Sequence, residues 1–159
     1  MNSSLYALPK RIDSIQHAIV YLGTQQIKRW VSLIVLANID DKPSQLMVVA
    51  LTRGKMCELI GEAVGENNKE GLFTIGLFSL LDALLDINLE NILVELPLGP
   101  EIKAAILNYT GSMGRILHAV LAHEQGRWDE IDIPSLEAAQ ITEAYLRAVA
   151  WTDEVYQTI

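Results

Sequence analysis

The stretch Gly71–Asp86, GLFTIGLFSLLDALLD, is the longest apolar run in the sequence. Its apolar residues fall on nearly every face of a helix with 3.6 residues per turn, a pattern typical of a helix surrounded by other helices. The run is short for a membrane span, which needs about 20 apolar residues. Ser79 and Asp82 are three residues apart and therefore lie on one side of the predicted helix. We expect any function of the core to involve that side.

Composition and charge limit the class of protein. With 159 residues, of which 50% are hydrophobic and 20% charged, the chain is predicted to form one compact domain over residues 1–159. Its net charge of −8 repels phosphate backbones and anionic headgroups, so we expect neither nucleic acid nor a membrane as partner. The single Cys57 excludes an intramolecular disulfide and a cysteine-rich metal site. No signal-peptide pattern opens the chain, and the expected location is the cytoplasm.

Helical spacing and capping residues predict an all-α fold, a multi-helix bundle of about eight helices joined by short loops. Strand-like alternation and internal repeats are absent from the sequence. The predicted helices cover residues 14–21, 25–39, 45–64, 71–86, 89–96, 100–108, 113–125 and 135–151.

Histidine and acidic side chains were considered as metal ligands or as an acid/base pair. His118, His123 and Glu124 form the clearest cluster of ligand types, but the two histidines are five positions apart, which places them about 140° apart on a helix. Such a pair cannot share an ion as an i,i+4 pair does, so helix-face or capping roles are favoured. Asp82 and Asp86 are one turn apart, but Asp86 is expected to end the helix in solvent, which disfavours a catalytic dyad.

Two other features lack the surroundings that catalysis or phosphate binding requires. Gly111–Arg115, GSMGR, could offer backbone amides to a phosphate at a helix start, yet it matches neither the P-loop nor the dinucleotide pattern. Ser79 has no histidine at a recognisable spacing, so nucleophilic catalysis has no support. Trp30, on an apolar helix face, and Trp128, after a helix-ending glycine, are predicted to be structural anchors that close over the core.

Several segments together resemble a known family. They are NSSLYALPKRIDSIQHAIVYLG from Asn2, IKRWVSLIVLA from Ile27, LTRGKMCELIG from Leu51, GLFSLLDALL from Gly76 and HEQGRW from His123. The pattern, which runs over essentially the whole chain, resembles the HDOD domain, a catalytically degenerate relative of the HD metal phosphohydrolases. It is similar in particular to the HDOD domains that follow an EAL-type cyclic di-GMP phosphodiesterase domain in bacterial signalling proteins. The family usually has more helices before the NSS segment, so we expect Met1 to mark a truncation.

The resemblance also implies where the metal centre of the HD hydrolases would lie. The place of their first histidine is taken by Arg53, and that of their histidine–aspartate dyad by Ser79-Leu80. Neither replacement of the dyad is a useful ligand, and the fixed positive charge of arginine repels a metal, so the site is expected to be abolished and no cofactor to be bound. Asp82 lies one turn beyond Ser79, and we expect it to form an ion pair with Arg53 in this space.

The function that the resemblance implies is that of a non-enzymatic signalling and protein-interaction module, with an EAL-type domain in cis and an unidentified protein partner. One alternative is a metal-dependent phosphohydrolase with a metal at His118 or His123. Another is a purely structural helical dimerisation domain. Helices missing before Met1 would leave apolar faces uncovered, so self-association is also expected.

Overall fold

The computed structural model describes residues 44–96 and 98–158, and within these ranges the backbone forms only helices, turns and loops. The α-helices are α1 Ser44–Val64, α2 Lys69–Phe78, α3 Leu81–Leu85, α4 Leu89–Glu95, α5 Pro100–Asn108, α6 Gly111–Glu124 and α7 Ala138–Thr158, with a 3-10 turn at Trp128–Glu130. The all-α fold class is confirmed. The helices predicted at 14–21 and 25–39, together with Trp30, lie outside the described residues. No helix in the described ranges is long and apolar enough to cross a bilayer.

The core is organised around α1 and α2. Helix α1 makes its most extensive contacts with α2 and α7, and α6 packs against α1, α2 and α5. Complete burial of a large aliphatic or aromatic side chain contributes about 1.5–3 kcal/mol, so the core depends mainly on the side chains that these central helices enclose. The largest fully buried side chains are Leu51, Met56, Ile60, Leu72, Ile75, Leu77, Phe78, Leu81 and Leu84. Most come from α1 and α2, as the run Gly71–Asp86 predicts.

Glycines allow the backbones of α1 and α2 to touch. A Cβ atom added at Gly76 would lie 2.6 Å from both the Arg53 carbonyl oxygen and the Gly54 Cα. A Cβ at Gly54 would in turn lie 3.0 Å from the Phe73 carbonyl oxygen. This close approach brings the middle of α1 beside the end of α2.

The end of α1 follows its local sequence signals. Gly65 has a φ of 82°, the left-handed conformation typical of the residue after a helix. The Glu66 N–H donates to the Gly61 carbonyl at 2.8 Å and the Gly65 N–H to the Glu62 carbonyl at 3.2 Å, which together form a Schellman motif. Asn68 then caps α2 by accepting a hydrogen bond from the Gly71 N–H at 2.9 Å.

The prediction of one continuous helix over 71–86 is wrong, because the run divides into α2 and α3. The Ser79 hydroxyl donates to the Gly76 carbonyl at 2.7 Å, a side-chain bond that competes with regular helix bonding. Leu80 leaves the helical conformation, with φ −112° and ψ 7°, and Asp86 ends α3 with a φ of 56°. The break changes the direction of every side chain after Ser79.

Helix α7 begins later and ends later than predicted. The Leu136 N–H donates to the Ile133 carbonyl at 3.0 Å, so the chain is still in a turn at Ser135. The Gln140 side chain accepts from the Glu137 N–H at 2.8 Å, as an N3 residue does in a capping box, and α7 starts at Ala138. Val155 is buried beyond the predicted end at Trp151.

Candidate functional site

Three helices bring polar side chains together around Arg53, in a group that we call the Arg53 cluster (Arg53, Ser79 and Glu124). Arg53 lies in the middle of α1, Ser79 just after α2, and Glu124 at the end of α6. The guanidinium Nε donates to Glu124 Oε2 at 2.8 Å, and Nη2 donates to Glu124 Oε1 at 3.1 Å. Nη1 donates to Ser79 Oγ at 2.9 Å. The carboxylate is therefore held by a two-pronged, charge-assisted pair of bonds.

The pair is only partly accessible to water. The Arg53 side chain is 10% exposed and that of Glu124 is 29% exposed. Shielding from water strengthens the attraction between the charges, but it also makes either charge costly without its partner. The Arg53 cluster is therefore a fixed contact between α1 and α6.

The Ser79 hydroxyl already has two partners. It donates its proton to the Gly76 carbonyl and accepts a bond from Arg53. A hydroxyl has a single proton to donate, so Ser79 is not poised to pass a proton to a general base. This arrangement agrees with the sequence argument against a serine nucleophile.

Cys57 lies one turn after Arg53 on α1 and is completely buried. Burial raises the pKa of its thiol far above the usual range; the Arg53 charge opposes that rise and the Glu124 charge adds to it. The thiol therefore stays protonated in the folded chain.

The predicted ion pair between Arg53 and Asp82 is wrong. All the side-chain bonds of Arg53 described above go to Glu124 and Ser79, while Asp82 is exposed on α3 and accepts a bond from the Ala83 N–H at 2.9 Å. The physical reason is the break after Ser79, which turns Asp82 toward solvent. Leu80 is half-buried and packs against the core.

Glu124 is the residue of the cluster that sequence reasoning missed. It is 71 positions from Arg53 in the chain. In the sequence it stands out only as a neighbour of His123 in a candidate metal cluster. Its position in the HEQGRW segment, at a predicted helix end, was the one sequence feature that singled it out. That feature does not indicate which residue Glu124 contacts.

The residues at this place do not fit a metal ion. The Arg53 guanidinium lies between the end of α2 and the end of α6, and it bonds to both carboxylate oxygens of Glu124. Across the described part of the chain, no three His, Cys, Asp or Glu side chains gather as a metal site would require. His118 instead contacts the ring of Tyr109, with ring centroids 5.4 Å apart.

Trp128 does not close over the core as predicted. It lies on the 3-10 turn after α6, where the residue is 61% exposed. Its ring meets His123 edge-on, with centroids 4.9 Å apart. Gly126, two residues earlier, has a φ of 72° and reverses the chain direction after α6. Trp128 therefore lies across the end of α6 rather than in the core.

A cleft of about 250 Å³ opens beside the Arg53 cluster, between α1, α6 and α7. Thr52 Oγ1 donates to Thr152 Oγ1 at 3.0 Å across it, and this bond joins α1 to α7. The cleft is mainly apolar. Its lining consists of Val48, Val49, Thr52, Arg53, Met56, Val120, Glu124, Tyr145, Val149, Thr152 and Asp153.

Comparison with known families identifies the chain. The model of the HDOD domain matches residues 1–89, which is more than half of the sequence. The chain belongs to the HDOD domain family. Within this match lie Arg53 and Ser79, whereas Glu124 comes from the part that follows it. The HDOD match therefore contains two members of the Arg53 cluster but not the acidic partner.

Two curated relatives align with nearly the whole HDOD chain. The uncharacterized protein YuxH of Bacillus subtilis (strain 168) is 32% identical over 157 residues, which is 95% of this chain and 38% of that protein. The cyclic di-GMP phosphodiesterase CdgJ of Vibrio cholerae serotype O1 is 30% identical over 154 residues, or 93% of this chain and 36% of that protein. The chain thus spans little more than a third of the length of these relatives. No solved structure matches it.

Proposed function

We propose that this HDOD chain is a non-catalytic signalling and protein-interaction domain that acts in cyclic di-GMP signalling in the bacterial cytoplasm. The observation that carries the non-catalytic part is the two-pronged Arg53–Glu124 pair beside Ser79. It stands where the family resemblance assigns the metal centre of an HD hydrolase. A shielded guanidinium repels a divalent cation, and it also engages the carboxylate that could have bound one.

The link with cyclic di-GMP rests on the relative CdgJ, whose name describes a cyclic di-GMP phosphodiesterase. The aligned region is 36% of that protein, which leaves ample length for a separate catalytic domain. We infer that an EAL-type phosphodiesterase domain stands in cis in the intact protein. The HDOD domain would then modulate that activity or connect it to a protein partner.

The absence of catalysis is tested on the purified chain by metal analysis and by a hydrolysis assay. We expect far less than one manganese, iron or zinc per chain, and no hydrolysis of cyclic di-GMP after Mn²⁺ is added. About one bound metal per chain together with hydrolysis would contradict the proposal and favour a metal-dependent phosphohydrolase. Loss of the metal in His118→Gln or His123→Gln variants would then locate the ligands.

The signalling role is tested in the intact protein. Removal of the HDOD domain is expected to change the rate of cyclic di-GMP hydrolysis. A second variant replaces the domain with an unrelated dimeric coiled coil. If the coiled coil restores the original rate, the domain is only a dimerisation element and the signalling role is wrong. If the rate stays altered, the domain supplies more than proximity.

A further inference from the structure

Seven large hydrophobic residues are exposed within the described ranges, and five of them lie close to one another. The most exposed of the five are Trp128 at 61% and Leu146 at 60%. We call these five residues the exposed strip (Val48, Trp128, Tyr145, Leu146 and Val149). Single apolar residues on a surface are ordinary, whereas a group of them marks a contact site for another protein.

Contacts between neighbouring residues make the exposed strip continuous. The ring of His123 joins two of its members, because the ring centroids of Trp128 and Tyr145 lie 4.9 Å and 5.1 Å from that of His123. Tyr145 and Val149 on α7 line the cleft beside the Arg53 cluster, together with Val48 on α1. The strip therefore runs from the 3-10 turn along α7 to the first turns of α1.

The surroundings of the exposed strip are acidic. Residues 128–154 carry seven carboxylates and one arginine, a net charge of −6, against −8 for the whole chain. Asp129 is exposed and follows Trp128 on the 3-10 turn, and Asp153 is exposed on α7 and lines the cleft. The paired charges of the Arg53 cluster cancel within the same lining, so the charge of the cleft is that of Asp153.

We propose that the exposed strip binds a cationic amphipathic helix of a partner protein. This inference rests on the proposed role of the chain as a protein-interaction domain, and it gives the partner a chemical class. The apolar face of the helix covers the strip, and one bulky side chain from that face enters the cleft of about 250 Å³. Lysine or arginine residues beside that face meet Asp129 and Asp153.

A second copy of the chain fits this surface less well. It brings the same strip with the same acidic surroundings, and like charges across an interface oppose binding. A cationic helix replaces that repulsion with attraction. Trp128 and Tyr145 are of the residue types that contribute most to binding energy in protein interfaces. Charge therefore favours the cationic partner, and self-association is the weaker use of the strip.

The experiment compares two labelled synthetic peptides that form amphipathic helices of about 18 residues, or five turns. One consists of leucine and lysine, the other of leucine and glutamate. Their binding to the purified chain is measured by fluorescence anisotropy. We expect saturable binding of the lysine peptide, with the glutamate peptide at least about tenfold weaker. The Trp128 indole N–H signal in NMR, assigned with Trp128→Phe, should shift as the lysine peptide saturates.

Variants in the apolar residues locate the contact. Trp128→Ala should weaken binding of the lysine peptide by at least about fivefold, and Leu146→Ala by at least about threefold. The matched control is Val94→Ala, which removes an exposed apolar side chain on α4 and should leave the affinity unchanged. All three residues are exposed, and circular dichroism checks that each variant is folded.

A second set of variants tests the charges. Raising the salt concentration from about 0.05 M to about 0.5 M should weaken the lysine peptide severalfold, because salt screens exposed charges. Replacing Asp129 and Asp153 together with asparagine should reduce this salt dependence. Replacing Glu90 and Glu95 together with glutamine removes as many exposed carboxylates from α4 and should not.

Three results would overturn the proposal. One is the absence of saturable binding of the lysine peptide, including the case in which another part of the chain covers the strip. Another is equal affinity for the two peptides. The last is an equal effect of the strip variants and the α4 variants. A dimer that binds no peptide would assign the strip to contact between two copies. Removal of the domain from the intact protein tests the signalling role separately, so the failure of either idea can be recognised.

Discussion

At the scale of single residues, the Arg53–Glu124 pair is the contact whose loss has the clearest consequence. Glu124→Met leaves a guanidinium that is 10% exposed with only Ser79 as partner, and we expect a loss of about 2–4 kcal/mol in the free energy of unfolding. Arg53→Met should cost less, because Glu124 is the more exposed partner and can regain water. The stability loss of the double variant should be smaller than the sum of the two single losses by at least about 1 kcal/mol.

Urea denaturation of the four proteins measures this coupling. The matched control is Lys69–Glu62, a pair 3.8 Å apart whose side chains are both more than half exposed. Double replacement there should give a coupling within about 0.5 kcal/mol of zero. A similarly small coupling energy for Arg53 and Glu124 would contradict the conclusion that the Arg53 cluster is a fixed contact between α1 and α6.

His123 predicts a pH dependence of stability. Burial, the larger effect, lowers the pKa of His123 below its usual 6.5, so between these two values the unfolded chain binds more protons than the folded chain. The stability contributed by neutral His123 is therefore present above pH 6.5 and is lost as the pH falls below it. As the pH falls from 7.5 to 5.5, the melting temperature of the His123→Gln variant should decrease less steeply than that of the wild type. His118→Gln, which removes the other α6 histidine, serves as control, and identical slopes for wild type and His123→Gln would contradict the assignment.

At the scale of elements, the contact between α1 and α2 depends on the absence of a side chain at Gly76. Glycine-to-alanine changes inside helices usually stabilise by up to about 1 kcal/mol, but a Cβ at Gly76 would meet two backbone atoms of α1 at 2.6 Å. We expect Gly76→Ala to destabilise by about 1–3 kcal/mol, since backbone cannot rotate away as a side chain does.

Gly61→Ala is the comparison for this prediction. Its Cβ would meet Leu72 Cδ1 at 2.1 Å, and that atom is the movable end of a side chain. Its loss of stability should therefore be smaller than that of Gly76→Ala when both are measured by chemical denaturation. The reverse order would mean that α1 and α2 can separate freely, and that the position of Arg53 beside Ser79 is not set by this contact.

At the scale of the whole molecule, self-association remains a prediction, and α7 offers a surface for it. Leu146 is 60% exposed, and Tyr145 and Val149 on the same helix are also exposed. We expect the average mass to rise with concentration in analytical ultracentrifugation, because clustered apolar side chains favour association. Leu146→Glu should shift the equilibrium toward monomer. Val94→Glu, at an exposed position on α4, should not. A wild-type chain that stays monomeric at high concentration would contradict the prediction.

The sequence by itself determined the all-α class and the boundaries of several helices. These features depend on neighbours in the chain: the αL glycine at Gly65, the side-chain cap at Asn88 and the first-turn proline at Pro100 act within one turn of a helix. Burial of α2 followed in the same way from the apolar run around it.

Only the tertiary structure decided which carboxylate meets Arg53. Asp82 was the nearer candidate in sequence, but the helix ends at Phe78, just before Ser79, and Asp82 is exposed beyond this break. Glu124 reaches Arg53 because α6 packs against α1 and α2, and no periodic pattern encodes contact between residues 71 positions apart. The exposure of Trp128 was likewise decided by tertiary structure. Local sequence determines helices, whereas the meeting of side chains from different helices depends on how the whole core packs.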